Sequence, residues 1–600
     1  MASIMADLIP YPAIERHAVI GDRRTAALVA ADGTVDWLCL PDYDGTVVFG
    51  ALLDSGKGGF WRVGPSELRY GQQDYVDDAP IVVTKWSSAA YELELLDAMA
   101  LPHDHRQGRD DERIVLRRLR CVRGSVRCVS VFRPAADFAP VEPRPQGSFA
   151  RAGRYQLWGD HASLTGGSGI VDLTQGDTIW MVLATGASSK WTDEEAERLL
   201  RDVRRFWCDA MDRMVVGRSH DALRRSIVAM RLLEYAPAGS VVAAPTTSVP
   251  ERIGGSWNAD YRLTWLRDAS LAMGMLAALG DLESASRYLT WLADRPPAAH
   301  APLQVLYDIH GRPNPRQRER CDLDGYRGSK PVRFGNHAFQ QKQLDSFGYL
   351  ADCVWEYIER GGRWSTDFSD LMFRIADHVA AHWTEEGNGI WELSTTRHYT
   401  SSRVMSWATL DRALRICSRL EARWPGSPAW KRARDDIRRE IETSGWSERL
   451  GAFKQSFEND ALDASALLIP IVGFLPATDP RVLATIDRIG EHLTIDGCVY
   501  RFDPEEVPVL DPAAMGQYEA AFLPCTFWLA TACAMAGRTD AAASILNRAE
   551  AVAGPLGLYA EAIDARSGTF AGNSPLLFSH AEHIRAVRAL DLARTREARH

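Results

Sequence analysis

Two short segments, far apart in the chain, each set a carboxylate beside an aromatic residue after a glycine-containing turn. They are Asn388-Gly-Ile-Trp-Glu392 and Gly557-Leu-Tyr-Ala-Glu561. An aromatic wall and partial burial raise a carboxyl pKa, which suits a general acid, whereas a second carboxylate left ionised can activate water. Two such groups facing one another are the minimum equipment for cleaving a glycosidic bond. A Trp-Glu or Ala-Glu pair by itself is more often the edge of a helix, so their weight depends on what surrounds them.

Three further segments carry candidate chemistry. Trp257-Asn-Ala-Asp-Tyr-Arg-Leu-Thr-Trp-Leu-Arg-Asp268 brings Tyr261 and Trp265 beside Arg267 and Asp268 at a helix start. An Asp accepts from vicinal sugar hydroxyls and an Arg donates to them, but an N-cap Asp with a local Arg partner explains the motif equally well. Gly325-Tyr-Arg-Gly-Ser-Lys-Pro-Val-Arg-Phe-Gly-Asn336 is a basic, glycine-broken loop holding Arg327, Arg333 and Asn336, followed by Gln343 and Asp345. It suits hydroxyl donation or an anion at a helix N-terminus, and it lacks the spacing of a phosphate loop. Glu519 opens the apolar run to Trp528. An acid there serves the helix dipole or a substrate contact first, and a catalytic base second.

These residues need a scaffold. The first third reads as short strands: 26–30 and 35–40 around an Asp-Gly turn, then 81–86, 91–96, 114–119, 125–132, 155–158 and 179–184, with a Pro-rich loop from Pro134 to Pro145. Such spacing predicts an antiparallel β-sandwich. At Thr192 the period changes, and Thr192 is placed to cap a helix beginning at Asp193. Beyond residue 240, stripes of 3.6-residue period predict helices over 271–279, 337–358, 371–383, 404–420, 461–472, 482–493, 519–536, 541–552 and 579–593. Alternating loop lengths fit a toroid of helix pairs, its longer loops forming a pocket on one face. A solenoid would need a fixed-length repeat, and none is visible.

Composition narrows the functions. A chain of 600 residues exceeds one ordinary core, and 46% hydrophobic with 25% charged residues is a globular balance. A net charge of −10 argues against nucleic acid as partner. Nineteen Trp and seventeen Tyr lean toward carbohydrate, whose rings stack on aromatic faces. No run of eighteen apolar residues predicts a membrane span, and the N-terminus does not read as a signal peptide. Cys121 and Cys128 flank an Arg-Gly-Ser turn and could meet across a hairpin, but reduced core thiols and a cytoplasmic location are the expectation. A homo-oligomer is compatible with the sequence.

The order and wording of these segments resemble glycoside hydrolase family 15, the glucoamylase and trehalase family. Ile14-Glu-Arg-His-Ala-Val-Ile-Gly-Asp-Arg-Arg and Asp36-Trp-Leu-Cys-Leu-Pro resemble the trehalase-like N-terminal domain of its prokaryotic members. The resemblance implies a multidomain α+β chain: a β-sandwich over 1–215, a linker helix over 216–240 and an (α/α)6 barrel over 241–600. It implies inverting hydrolysis of a terminal α-glucosidic bond, with Glu392 as general acid and Glu561 as general base. It assigns Tyr261, Trp265, Arg267 and Asp268 to the glucose pocket, lined further by Arg327, Arg333 and Asn336. Beside the resemblance, Trp391 is placed to shape the pocket's apolar wall, and Glu519 stays a candidate substrate contact or base. No metal or organic cofactor is implied, though some family members respond to phosphate or magnesium. Three departures bear on substrate: Ala562 after the base, Arg403 where Lys is common, and Leu576 or Leu577 where Gln is common. The expected substrate is α,α-trehalose or a short α-gluco-oligosaccharide. A glucoamylase, a disaccharide phosphorylase and a non-catalytic sugar-binding protein are the alternatives, and the intact Glu pair argues against the last two.

Overall fold

The computed structural model describes residues 7–102, 112–146, 149–159, 167–186, 191–214, 221–298, 300–313, 315–421, 423–503 and 520–599. An N-terminal β-rich part precedes a helical part. Ala26–Ala30 and Thr34–Leu40 form the expected antiparallel hairpin. The strands expected at 114–119 and 125–132 are instead one strand, Ile114–Arg133. Gly124, at φ 73°, bends it without ending it, because the neighbours change there. Ahead of the bend it pairs with Tyr91–Met99 and Thr178–Thr185; beyond it, with Phe60–Pro65 and Ser168–Thr174. Cys121 and Cys128 therefore lie along one strand rather than across a hairpin, and all ten cysteines are free thiols.

The helical part begins as expected. α1 (Asp193–Asp212) starts on a capping box: the Thr192 hydroxyl accepts from Glu195 N at 3.3 Å, and the Glu195 carboxylate accepts from Thr192 N at 3.2 Å. There follow α2 (Asp221–Leu232), α3 (Leu266–Ala278), α4 (Leu282–Ala293), α5 (Asp345–Glu359), α6 (Thr366–His382), α7 (Thr400–Arg419), α8 (Ser427–Ser444), α9 (Leu468–Ile471), α10 (Pro480–His492), α11 (Leu523–Met535), α12 (Thr539–Ala553) and α13 (Leu577–Glu597). α3 packs on α5, α5 on α7, α7 on α9, α9 on α11, α11 on α13, and α13 back on α3. The remaining helices from α2 to α12 pack against members of this ring. Burial follows the same division: every residue of α3 is buried, whereas α8 buries only Trp430, Ala433, Ile437 and Ile441, a single stripe.

Two departures from expectation shape the site. The helix expected over 337–358 starts only at Asp345, after a 3-10 turn at His337–Gln340. Between them the backbone is diverted to another segment: Lys342 N donates to Asn388 Oδ1, and Asn388 N donates to Lys342 O, both at 2.9 Å. The helix expected over 461–472 is a 3-10 turn, Ala464–Leu467, followed by the short α9, with Asp463 as its cap.

The β-rich part holds the loop that carries Tyr261. Arg262 donates to the Asp260 carboxylate from Nε at 2.9 Å and from Nη2 at 2.8 Å, and its Nη1 reaches Tyr43 O at 3.2 Å. Trp37 Nε1 donates to Pro245 O at 2.8 Å, and the Tyr43 hydroxyl to Leu232 O. Asp260 is buried, so removing its partner strands a charge away from water. Arg262→Met should cost about 3–5 kcal/mol, seen as an earlier urea unfolding midpoint; an unchanged midpoint would show that the clamp holds nothing.

Candidate active site

Ring helices enter the site from extended backbone rather than from side-chain caps. Trp265, Phe522 and Leu576 precede α3, α11 and α13 without a capping side chain. Short ladders supply the missing partners: Leu266 N donates to Val305 O at 2.9 Å, Leu523 N to Glu561 O at 3.1 Å, and Leu577 N to Ala243 O at 2.9 Å. The starts of these helices, with the segments at 333–341 and 388–394, line a cavity of about 470 Å³. That is within the range of small-molecule sites.

Glu392 sits at φ 57° at the end of a turn closed by Leu393 N on Asn388 O at 3.0 Å and by Asn388 Nδ2 on Leu393 O at 2.7 Å. Trp265 Nε1 donates to Glu392 Oε1 at 2.8 Å, and Arg267 Nη1 lies 3.5 Å from the same oxygen. Oε2 has no hydrogen-bond partner among the described residues, and the side chain is 24% exposed. One oxygen is thus held and the other is left for a substrate. Arg267 also donates from Nε to Asp268 at 2.7 Å and from Nη1 to Ile390 O at 3.1 Å. Asp345 lies buried near this guanidinium, its carboxyl without a hydrogen-bond partner among the described residues; burial pushes it up to about 6, against the pull of Arg267.

Glu561 is buried in the same cavity wall. The Tyr261 hydroxyl donates to its Oε1 at 2.5 Å, and Asn573 N to its Oε2 at 3.4 Å. Burial first, and then the charge of Glu251, push its pKa up to about 8, while the Tyr261 hydrogen bond and Arg501 oppose them. These surroundings favour the protonated form of Glu561 over the carboxylate that a base needs. Gly572 makes room for it. Its φ is 77°, and a Cβ there would stand 2.5 Å from both Cβ and Oε2 of Glu561.

The other expected residues divide. Trp391 lines the cavity, its Nε1 held between the Asp463 oxygens at 2.9 and 3.0 Å and its ring packed on Phe522 and Trp528. Arg333 and Asn336 also line it, though Arg333 is committed to Ser256 O and Glu319, and Asn336 Oδ1 caps Ala338 N at 2.8 Å. Arg327 does not reach the cavity. It takes φ 49°, and its Nε and Nη2 donate to Tyr11 O at 3.2 and 3.1 Å, which turns it into a neighbouring depression. Glu519 lies outside the described residues. Leu576 faces the cavity, whereas Ala562 is buried in a short strand.

Sequence reasoning missed Glu251, Gln341 and Asp463. Glu251 is ion-paired with Arg501, and Gln341 Nε2 donates to Glu392 O at 3.0 Å. Nothing around Glu251 marks it, since its partners arrive from more than two hundred residues away. Asp463 had a signal: an Asp two residues before Ser465, whose backbone N–H it accepts at 2.7 Å, is a capping arrangement rather than helix interior.

Comparison with known proteins shows the family. The model of Glycosyl hydrolases family 15 matches residues 217–588, and that of the trehalase-like N-terminal domain matches residues 10–147. The chain belongs to glycosyl hydrolase family 15. It is 33% identical to a trehalase of Mycolicibacterium smegmatis over 96% of this chain and 91% of the relative. It is 31% identical to a trehalase of Thermoplasma volcanium over 97% of this chain and 94% of the relative. A bacterial glucoamylase solved with acarbose superposes with a TM-score of 0.66 at 14% identity, over 97% of this chain and 94% of that one. The β-rich and helical parts together therefore have the family 15 glucoamylase fold, and the protein is a glycoside hydrolase.

If Glu561 is a reacting base, its surroundings give the rate of this family 15 enzyme a pH dependence. Tyr261→Phe removes a hydrogen bond that favours the carboxylate, so the acidic limb of kcat/KM should move to higher pH. Glu251→Gln removes a like charge, so the limb should move to lower pH. Shifts of the same sign in both variants would show that Glu561 does not set this limb. Gly572→Ala should lower kcat/KM by about a hundredfold or more, since small misplacements of a reacting group are costly; a rate within about twofold of wild type would show that Glu561 tolerates displacement.

Proposed function

We propose that the protein is an inverting α,α-trehalase, with Glu392 as general acid and Glu561 as general base. The observation that carries this reading is that both carboxyls line one cavity and each is held by one member of a contacting ring pair, Tyr261 and Trp265. The trehalose assignment draws on relatives named trehalase, matched over nearly their whole length. In this reading the helices of the closed packing order form an (α/α)6 barrel over 241–600, entered through a linker helix at 216–240 from a β-sandwich over 1–215. Arg327 is withdrawn from the glucose pocket, and Arg267 serves chiefly to hold Asp268 and Glu392.

In the working form, Glu392 carries the proton on Oε2 and gives it to the glycosidic oxygen as the C1–O bond breaks. Glu561, having lost its own proton, takes one from a water that attacks C1 on the opposite face. A base must be ionised to act, so the raised pKa of Glu561 places the acidic limb of the rate. Asp268, oriented by Arg267, accepts from hydroxyls of the bound glucose, and Trp391 supplies an apolar face. The substrate is a small carbohydrate, and the reaction as drawn takes no metal, organic cofactor, nucleic acid or membrane.

A glucoamylase-type preference for malto- or isomalto-oligosaccharides is the second reading, supported by the fold of the glucoamylase relative. Glucose release from trehalose, maltose and isomaltose, followed by anomer-resolved NMR, separates the two. Trehalose should be cleaved fastest, giving one β- and one α-glucose per turnover. Glu392→Gln and Glu561→Gln should each lose at least about a thousandfold in kcat. Maltose or isomaltose cleaved faster than trehalose would overturn the substrate, and retained turnover in either variant would overturn the roles.

A further inference from the structure

Glu392 sits at φ 57°, where an L side chain is strained, so its surroundings must hold it there. Its own turn does part of this. Glu392 N donates to Gly389 O at 3.2 Å, and the Asn388–Leu393 bonds close the turn on itself. A second set of bonds ties the turn to the segment ahead of α5. Asn388 N donates to Lys342 O and Lys342 N to Asn388 Oδ1, both at 2.9 Å. Gln341 Nε2 donates to Glu392 O at 3.0 Å. Among the described residues, Gln341 is the one side chain bonded to the backbone of Glu392 itself.

The direction of these bonds is settled by chemistry. A backbone carbonyl can only accept, so Gln341 must present its NH2 to Glu392 O and its Oε1 to the other side. There it accepts from Gln343 Nε2 at 2.8 Å. Gln343 is buried and Gln341 half-buried, so the pair is sheltered from competing water. Glu392 is thus fixed from both sides, through its N–H by Gly389 O and through its carbonyl by Gln341. Loss of the second hold lets the residue relax toward ordinary φ, which swings the Cα–Cβ bond and moves the carboxyl from its place beside Trp265 and Arg267. Gln341 lines the catalytic cavity, but its Oε1 and one N–H are committed to this task.

We propose that Gln341 is a positioning residue for Glu392, and that Gln343 orients its amide for that work. The proposal rests on Glu392 being the general acid. A misplaced acid harms only a reaction whose leaving group needs a proton. The glucose leaving from trehalose needs one; fluoride leaving from α-D-glucosyl fluoride departs as a stable anion, while the bound glucose unit is the same. Comparing kcat on the two substrates therefore isolates the acid. Glu392→Gln should lose at least about a hundredfold more on trehalose than on the fluoride. Gln341→Met, of similar length but without the donor, should lose about tenfold more on trehalose, with its KM for trehalose changed by less than about twofold. Gln343→Met, which leaves Gln341 in place and unties only its amide, should show the same preference at about threefold, and it decides alone should Gln341→Met not fold. Equal losses on both substrates in Glu392→Gln would overturn the acid itself. A selective loss in Glu392→Gln, with equal losses or none in the glutamine variants, would overturn the positioning role and leave the acid standing.

Discussion

Tyr261 and Trp265 lie ring against ring, 5.4 Å between centroids, and each gives its one polar hydrogen to a different candidate carboxyl. Inversion needs two acids kept far enough apart to admit a water and close enough to act on one bond. Flexible acid side chains do not keep such a gap alone, but two touching aromatic rings have few torsions to lose and so make a stiff spacer. Much else in the structure holds that spacer in place. The Arg262–Asp260 clamp fixes the loop on one side of Tyr261, and the pairing of Thr264–Trp265 with Leu306–Tyr307 fixes Trp265 on the other.

The two carboxyls were readable from the chain because each sits in a segment with its own turn and aromatic neighbour. The pKa environment of Glu561 was not. Glu251 raises it, yet comes from a loop about three hundred residues earlier, and Arg501 opposes it from a third segment. Arg327 stands in the loop that also supplies Arg333, and sequence gives no sign that one turns into the cavity while the other binds Tyr11 O. Periodicity located most ring helices but blurred their starts. Their first residues are extended and paired in short ladders, so the capping residues that mark a start are missing. α8 escaped for another reason: it buries one narrow stripe and is otherwise charged. The strand Ile114–Arg133 was read as two because Gly124 looks like a turn, whereas the partners on either side keep the chain extended through it.

The β-rich part is more than an appendage. Through Tyr43, Cys39 and Trp37 it meets Arg262 and Pro245 on the backbone that leads into Tyr261, so the floor of the site is partly a domain junction. Stability of that junction and placement of the two candidate carboxyls are therefore coupled.

Glu392 occupies the left-handed region at φ 57°, a conformation that suits glycine or asparagine better than glutamate. The enzyme keeps a residue there that its backbone does not favour, in exchange for a carboxyl aimed at the cavity. Evolutionary drift then has a preferred direction. If Glu392 is the acid, then in a lineage released from selection for catalysis position 392 would be among the first to change, toward Gly or Asn, because the replacement gains stability as it loses chemistry. A retired descendant would be recognisable by that one residue while its fold, its aromatic pair and its domain junction still looked intact.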